Sequence, residues 1–175
     1  DNAIYLNDSS RVEETAKSNA DFHLSIDEVL ANDFNEDTDE ANCSSIAFIF
    51  EYKEFRLLLL GDSAPSQIVK ALYNLGYSET NKLKLNICKL SHHRSNHNTS
   101  DKLLELIDCN DFIISSDWNG PRPGKECLSR IAVGIKGSKR FYCNYPHKSV
   151  FTDSELAEYK VDFEDIDNNE IVLED

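Results

Sequence analysis

The chain has 175 residues, of which 40% are hydrophobic and 29% charged, with a formal net charge of −14. That length suits one domain, or half of a larger two-part fold. No run approaches the ~18 apolar residues of a membrane span, nothing resembles a cleavable signal, and bulk acidity argues against wholesale coating of nucleic acid.

The charge is unevenly spread. Residues 1–81 carry 5 basic and 16 acidic side chains, residues 82–148 carry 12 and 6, and residues 149–175 carry 1 and 10. A central block of net positive sign favours an anionic partner; the plainer reading is a solvated helix face with ordinary lysines. The 5 cysteines form no C-x-x-C pair and each lies in or near an apolar stretch. They read as reduced, mostly buried thiols of a cytoplasmic protein. The chain contains no methionine, so Asp1 is not expected to be a translational start.

Residues 1–40 are polar and acidic, with short apolar patches. Among them, Ser25 followed by Glu28 is a capping-box pattern and predicts a short helix over Ile26–Ala31. Asn32–Asn42 has no apolar periodicity and reads as a solvated loop. It lacks the glycine and spaced glutamate of a calcium loop. Ser45–Tyr52 and Phe55–Leu60 are β-rich runs joined at Lys53-Glu54, which predicts a hairpin. The second run is apolar nearly throughout, as a strand covered on both faces would be. After Gly61-Asp62-Ser63, Pro65 and Gly76 bracket a helix whose stripe is Ile68, Val69, Leu72 and Leu75.

The same plan then repeats. A strand over Lys84–Leu90 runs into a loop with three histidines, His92, His93 and His97, and Ser100 caps a helix over Asp101–Ile107. A strand over Asp111–Ser115 follows, then the Gly/Pro loop Trp118–Gly124, a helix over Lys125–Ile135 and a strand over Arg140–Asn144. The tail predicts a solvated hairpin, Glu158–Phe163 against Glu170–Leu173, turning near Asn168-Asn169. Alternating strands and helices after a hairpin mean an α/β fold, with sites at the C-terminal ends of strands.

Three such exits are expected to converge: Asp62, the pair His92-His93, and the Trp118–Lys125 loop. A carboxylate can bridge two metal ions and a neutral imidazole suits zinc. Taken singly, Asp62 reads as a helix cap and the histidines as surface residues.

In combination, NCSSIAFIFEYKEFRLLLLGDS, then LKLNICKLSHHRSNHNTS, then FIISSD resemble the C-terminal half of the metallo-β-lactamase superfamily. The resemblance covers roughly 41–145. It is greatest to the branch holding the hydrolase domain of bacterial DNA-uptake competence proteins and related phosphodiesterases, rather than to enzymes that hydrolyse β-lactams. That branch has an N-x-S strand, a hydrophobic strand ending in Gly-Asp, a K-x-S/P-H-H-G-S turn and an I-I-S strand.

The resemblance implies half of an αβ/βα sandwich over 41–148, flanked by the 1–40 connector and the acidic tail 149–175. It implies two divalent metals, zinc or manganese, with Asp62 as bridging carboxylate and His93 as ligand. His92 becomes the catalytic, substrate-facing histidine, with the reverse assignment of the pair left open. Ser91, Ser95 and Asn98 would position the loop, with Ser95 also contacting an anionic substrate, a phosphodiester such as nucleic acid.

The departures from the pattern are specific. No H-x-H-x-D-H motif precedes Asp62, and the only earlier histidine, His23, reads as a structural or surface residue. Arg94 stands where the family has glycine, and Arg122-Pro123 where it has His-Pro; a guanidinium at 94 would either crowd the metal opening or grip a phosphate bidentately, and both arginines are expected as contacts for the anionic substrate. The chain is therefore expected to act with a partner, an N-terminal half bringing the missing ligands, and without any membrane. The alternative is a degenerate, non-catalytic module of the same fold that binds nucleic acid or a protein.

Overall fold

The β-rich runs pair about the short Lys53-Glu54 connection. In a computed structural model, which describes residues 21–116, 124–145, 150–166 and 171, β1 (Phe48–Tyr52) and β2 (Phe55–Leu59) form an antiparallel hairpin with Tyr52 opposite Phe55. Lys53 takes the left-handed conformation that a two-residue turn needs. Short helices α1 (Ile26–Leu30) and α2 (Glu40–Cys43) precede the hairpin, the first closed by the Ser25–Glu28 capping box and the second capped by Asp39.

From β2 onward every strand in the main sheet is added in parallel through a crossover. The helices are α3 (Pro65–Asn74), α4 (Asp101–Leu106), α5 (Lys125–Gly134) and α6 (Asp153–Tyr159). The strands are β3 (Leu83–Lys84), β4 (Ile87–Lys89), β5 (Ile107–Asp108), β6 (Asp111–Ile114), β7 (Lys139–Cys143) and β8 (Val161–Asp165). The six-stranded sheet runs β1-β2-β4-β6-β7-β8, and β3 pairs with β5 apart from it. Because each crossover steps the same way and such connections are right-handed, the helices gather on one face. There α3 packs on α4, α4 on α5 and α5 on α1. The row Leu58, Cys88, Phe112, Phe141 faces them and is buried. This is a mixed α/β fold with a mostly parallel sheet. No helix among the described residues is long and apolar enough to cross a membrane.

The opposite face of the hairpin is strongly apolar. Phe48, Phe50 and Tyr52 lie in register with Leu59, Leu57 and Phe55, yet they are 51%, 49% and 61% exposed. Ile87 and Ile113 continue this surface inward, where Ile171 closes a shallow hollow with Phe55 and Leu57.

Three expectations need correction. The strand read as continuous over Lys84–Leu90 is broken at Leu85-Asn86. Leu85 N–H bonds the Asp108 carbonyl, whereas Asn86 N–H bonds the Arg56 carbonyl and Asn86 Oδ1 accepts from Arg56 N–H. The chain thus changes partners from β5 to β2 in two residues. In the tail, Glu158–Tyr159 belong to a helix, not a strand. A Thr152–Glu155 capping box opens α6, Lys160 ends it in the left-handed conformation, and β8 begins only at Val161, pairing in parallel with β7. Most of the expected second arm, and residues 118–123 of the Gly/Pro loop, lie outside the described residues. Finally, the acidic stretch Asn32–Asn42 is not a free solvated loop. Glu36 accepts from Ser66 N–H and Oγ–H at the start of α3, and Asp37 docks on the histidine loop.

Candidate active site

Three strand ends meet beneath the histidine loop. At the exit of β2, Gly61 has φ +57, and a Cβ there would sit 3.2 Å from the Ile46 carbonyl oxygen and from Ser45 Cβ. A left-handed turn in contact with neighbouring backbone favours glycine. The turn brings Gly61-Asp62-Ser63 beside the neighbouring exit, where the Ser91–Arg94 turn follows β4. His92 N–H donates to the Gly61 carbonyl at 2.9 Å, and Ser91 Oγ donates to the Ser63 carbonyl at 3.0 Å. From β6, the Ser115 carbonyl meets His93 Nδ1.

His92, His93 and Arg94 take φ values of 44°, 52° and 67° in succession. For residues with a Cβ each left-handed position costs roughly 1–2 kcal/mol, so the loop persists only because its surroundings hold it. Asn98, fully buried, donates Nδ2–H to the Asp62 and Ser63 carbonyls at 3.2 and 3.3 Å. Ser95 N–H closes on the His92 carbonyl at 2.9 Å. The two imidazoles diverge, with ring centres 6.4 Å apart and planes at 63°.

The acidic segment completes the frame. Asp37 N–H bonds the His97 carbonyl at 3.0 Å, and Asp37 Oδ2 lies 3.1 Å from His92 Nδ1. Asp37 Oδ2 also accepts from Asn42 and Asn98 amides, and Oδ1 from Asp39 N–H. Partial burial pushes this carboxyl up, but those donors together hold it below the ordinary aspartate value. His97, though exposed, bonds the Asn35 carbonyl through Nδ1 at 2.7 Å. Asp37 escaped the sequence reading because it sits in a run of acids with no periodicity; no local pattern distinguishes it from Asp33 or Asp39.

Of the residues expected at the site, Asp62, His92 and His93 are therefore gathered at adjoining strand ends, all half-buried. Ser91 and Asn98 position the loop as anticipated. Ser95 is buried at 5% exposure and accepts from His97 N–H, so in this conformation it shapes the loop. Arg122 lies outside the described residues, and His23 is exposed.

Arg94 is not presented to the surface. It is 2% exposed, and its guanidinium lies so close over Gly124 that an added Cβ would fall 1.4 Å from Nη1. Its charge reaches the Cys127 and Cys143 thiols, which burial nevertheless pushes up to about 11 and about 12. Other cations of the basic block are also internal. Lys125 pairs with Glu155, Arg130 with Asp101 and Glu126, and Lys139 donates to the Ala132 and Ile135 carbonyls. Four of the 12 basic residues of the block are thus internal and structural, while Lys82, Lys84, Lys102 and Lys136 remain exposed.

The donor set tests the expected metals. Asp62 and His93 offer one oxygen ligand and one imidazole, and no group of three or more candidate ligands occurs among the described residues. Two donors do not hold two divalent ions. The described residues fit, at most, one side of such a centre. Compared with known protein families, with curated proteins and with solved structures, the chain finds no match.

Proposed function

We propose that this chain is the C-terminal half of a metallo-β-lactamase-type, metal-dependent hydrolase acting on a phosphodiester or a similar anion. It is competent only with an N-terminal half that carries the H-x-H-x-D-H ligands, in the same polypeptide or in another. The observation that carries the reading is the joining of the Gly61-Asp62 turn to the histidine loop through the His92 N–H and Asn98 bonds. Asp62 and His93 are this chain's share of the ligands, and His92 faces the substrate. Two divalent ions, zinc or manganese, would supply an activated water and charge stabilisation when bound. The half-sandwich is supported by the aromatic hairpin face, because exposed apolar area of that kind marks a surface meant to be covered. Free thiols, four of them buried, fit the cytoplasmic setting proposed with it.

The second reading is a non-catalytic module of the same fold that binds nucleic acid or a protein. It is favoured by the inward-turned Arg94 and by the two-donor set. Asp62→Ala in the complete protein separates the two: the hydrolase loses activity by orders of magnitude and most of its bound metal, whereas a binding module keeps its affinity. If the complete protein holds no more than traces of zinc or manganese by elemental analysis, the hydrolase reading fails.

A further inference from the structure

We infer that Asp37 and Asn98 are positioning residues that hold His92 in its Nδ1–H tautomer, so that Nε2 is the nitrogen the ring offers to the site. The bonding around Asn98 decides this. Its Nδ2 faces three groups that can only accept: Asp37 Oδ2 at 3.2 Å, the Asp62 carbonyl at 3.2 Å and the Ser63 carbonyl at 3.3 Å. The amide orientation is thereby settled, since the reverse would set an oxygen against three oxygens. Asn98 Oδ1 is then the atom 3.2 Å from His92 Nδ1. On its other side Nδ1 meets Asp37 Oδ2 at 3.1 Å.

With an acceptor on each side, Nδ1 must carry the proton, and a neutral His92 keeps its lone pair on Nε2. Free imidazole side chains in water favour the opposite tautomer, so the preference is imposed by the fold. The main-chain bond from His92 N–H to Gly61 and the left-handed φ of His92 aim the ring into this pair of acceptors. Carboxylates that orient a ring through its second nitrogen are a recurring support for histidines acting through the first.

What His92 does with Nε2 rests on the proposed hydrolase function; its tautomer does not. The test is therefore made in two arms. In ¹⁵N-labelled chain at alkaline pH, long-range proton–nitrogen correlation of the imidazoles reads the tautomer directly, with His92 assigned by the signal lost in His92→Asn and exposed His23 as internal reference. His92 is expected as Nδ1–H, and Asp37→Asn, which can still accept through its Oδ1, keeps that form. Asp37→Ala/Asn98→Ala reverts it to mainly Nε2–H. A wild-type His92 in the Nε2–H form overturns the inference, and so does a folded double variant that retains Nδ1–H. Should the double variant not fold, the wild-type spectrum alone still decides.

In the complete protein, Asp37→Ala is expected to lower kcat by about 10–100-fold with KM nearly unchanged, and Asp37→Asn to recover most of it. Wild-type Nδ1–H without hydrolysis would sink the function and leave the positioning intact. Hydrolysis with an Nε2–H His92 would do the reverse.

Discussion

Replacing Gly124 by alanine tests the burial of Arg94. The backbone at Gly124, φ −142° and ψ −6°, is open to alanine, so the substitution adds no conformational strain. Its effect is steric: the new Cβ would lie 1.4 Å from Arg94 Nη1, 2.5 Å from Cζ and 3.1 Å from Cδ. A guanidinium only 2% exposed has little room to retreat, and overpacking of this kind costs about 1–3 kcal/mol. The smaller effects of alanine oppose each other: it is the poorer N-cap but restricts the unfolded chain more than glycine does. With Arg94→Gly the obstacle vanishes and glycine suits φ 67°. The cost of Gly124→Ala in that background should then fall to a few tenths of a kcal/mol, with the remainder appearing as coupling. Urea unfolding of the four variants, compared at equal m value, measures it. A coupling below about 0.5 kcal/mol, the ordinary scatter of additivity, would refute the packing of Arg94 against Gly124.

Further outcomes follow from other contacts. Glu155 accepts from buried Lys125 and from Thr152 N–H at 2.7 Å; burial pushes its carboxyl up, but these bonds hold it below the usual glutamate value. Its stabilising contribution is thus complete above the unfolded pKa of about 4.3 and is lost as pH falls through the lower folded value. Glu155→Gln should cost about 3 kcal/mol at pH 7, with the gap to wild type narrowing in acid; a gap constant from pH 7 to pH 2 would contradict this. The thiols give a second check, because four of the five are buried and only Cys43 is half-buried. Partial burial, with the carboxylates of Asp37 and Glu36 behind it, raises even that thiol. An exchange reagent at neutral pH should therefore titrate at most one thiol, slowly, in the folded chain and all five after unfolding. Two fast thiols would argue against this packing. Lastly, Phe50→Lys in this chain alone should change stability by less than about 0.5 kcal/mol while lowering binding of a hydrophobic dye. A loss of several kcal/mol would mean that the hairpin face is covered by the chain's own residues.

The order of elements was legible because its signals are local. β-rich apolar runs specify β1 and β2, Pro65 and Gly76 bracket α3, and Ser25 and Ser100 announce helices that the structure caps as expected. Even α6 had a readable start, since Thr152 and Glu155 form the same box as Ser25 and Glu28. The β-rich Val161–Phe163 carries the strand signal backwards across the helix end. The convergence of Asp62 with the histidine pair was likewise readable, because parallel strands put their C-terminal ends together.

What only the tertiary structure decided was the partner of each polar side chain. Arg94 looks the same in sequence whether it reaches outward to a phosphate or inward over Gly124, thirty positions further on. Asp37 becomes distinct from its acidic neighbours only when the chain folds back across 55 residues to His92. Strand and helix periodicity is written in neighbouring residues, so the sequence alone determined this α/β framework. The charge and hydrogen-bond partners of its candidate site are contacts between distant segments, and those exist only once the sheet has brought its strand ends together.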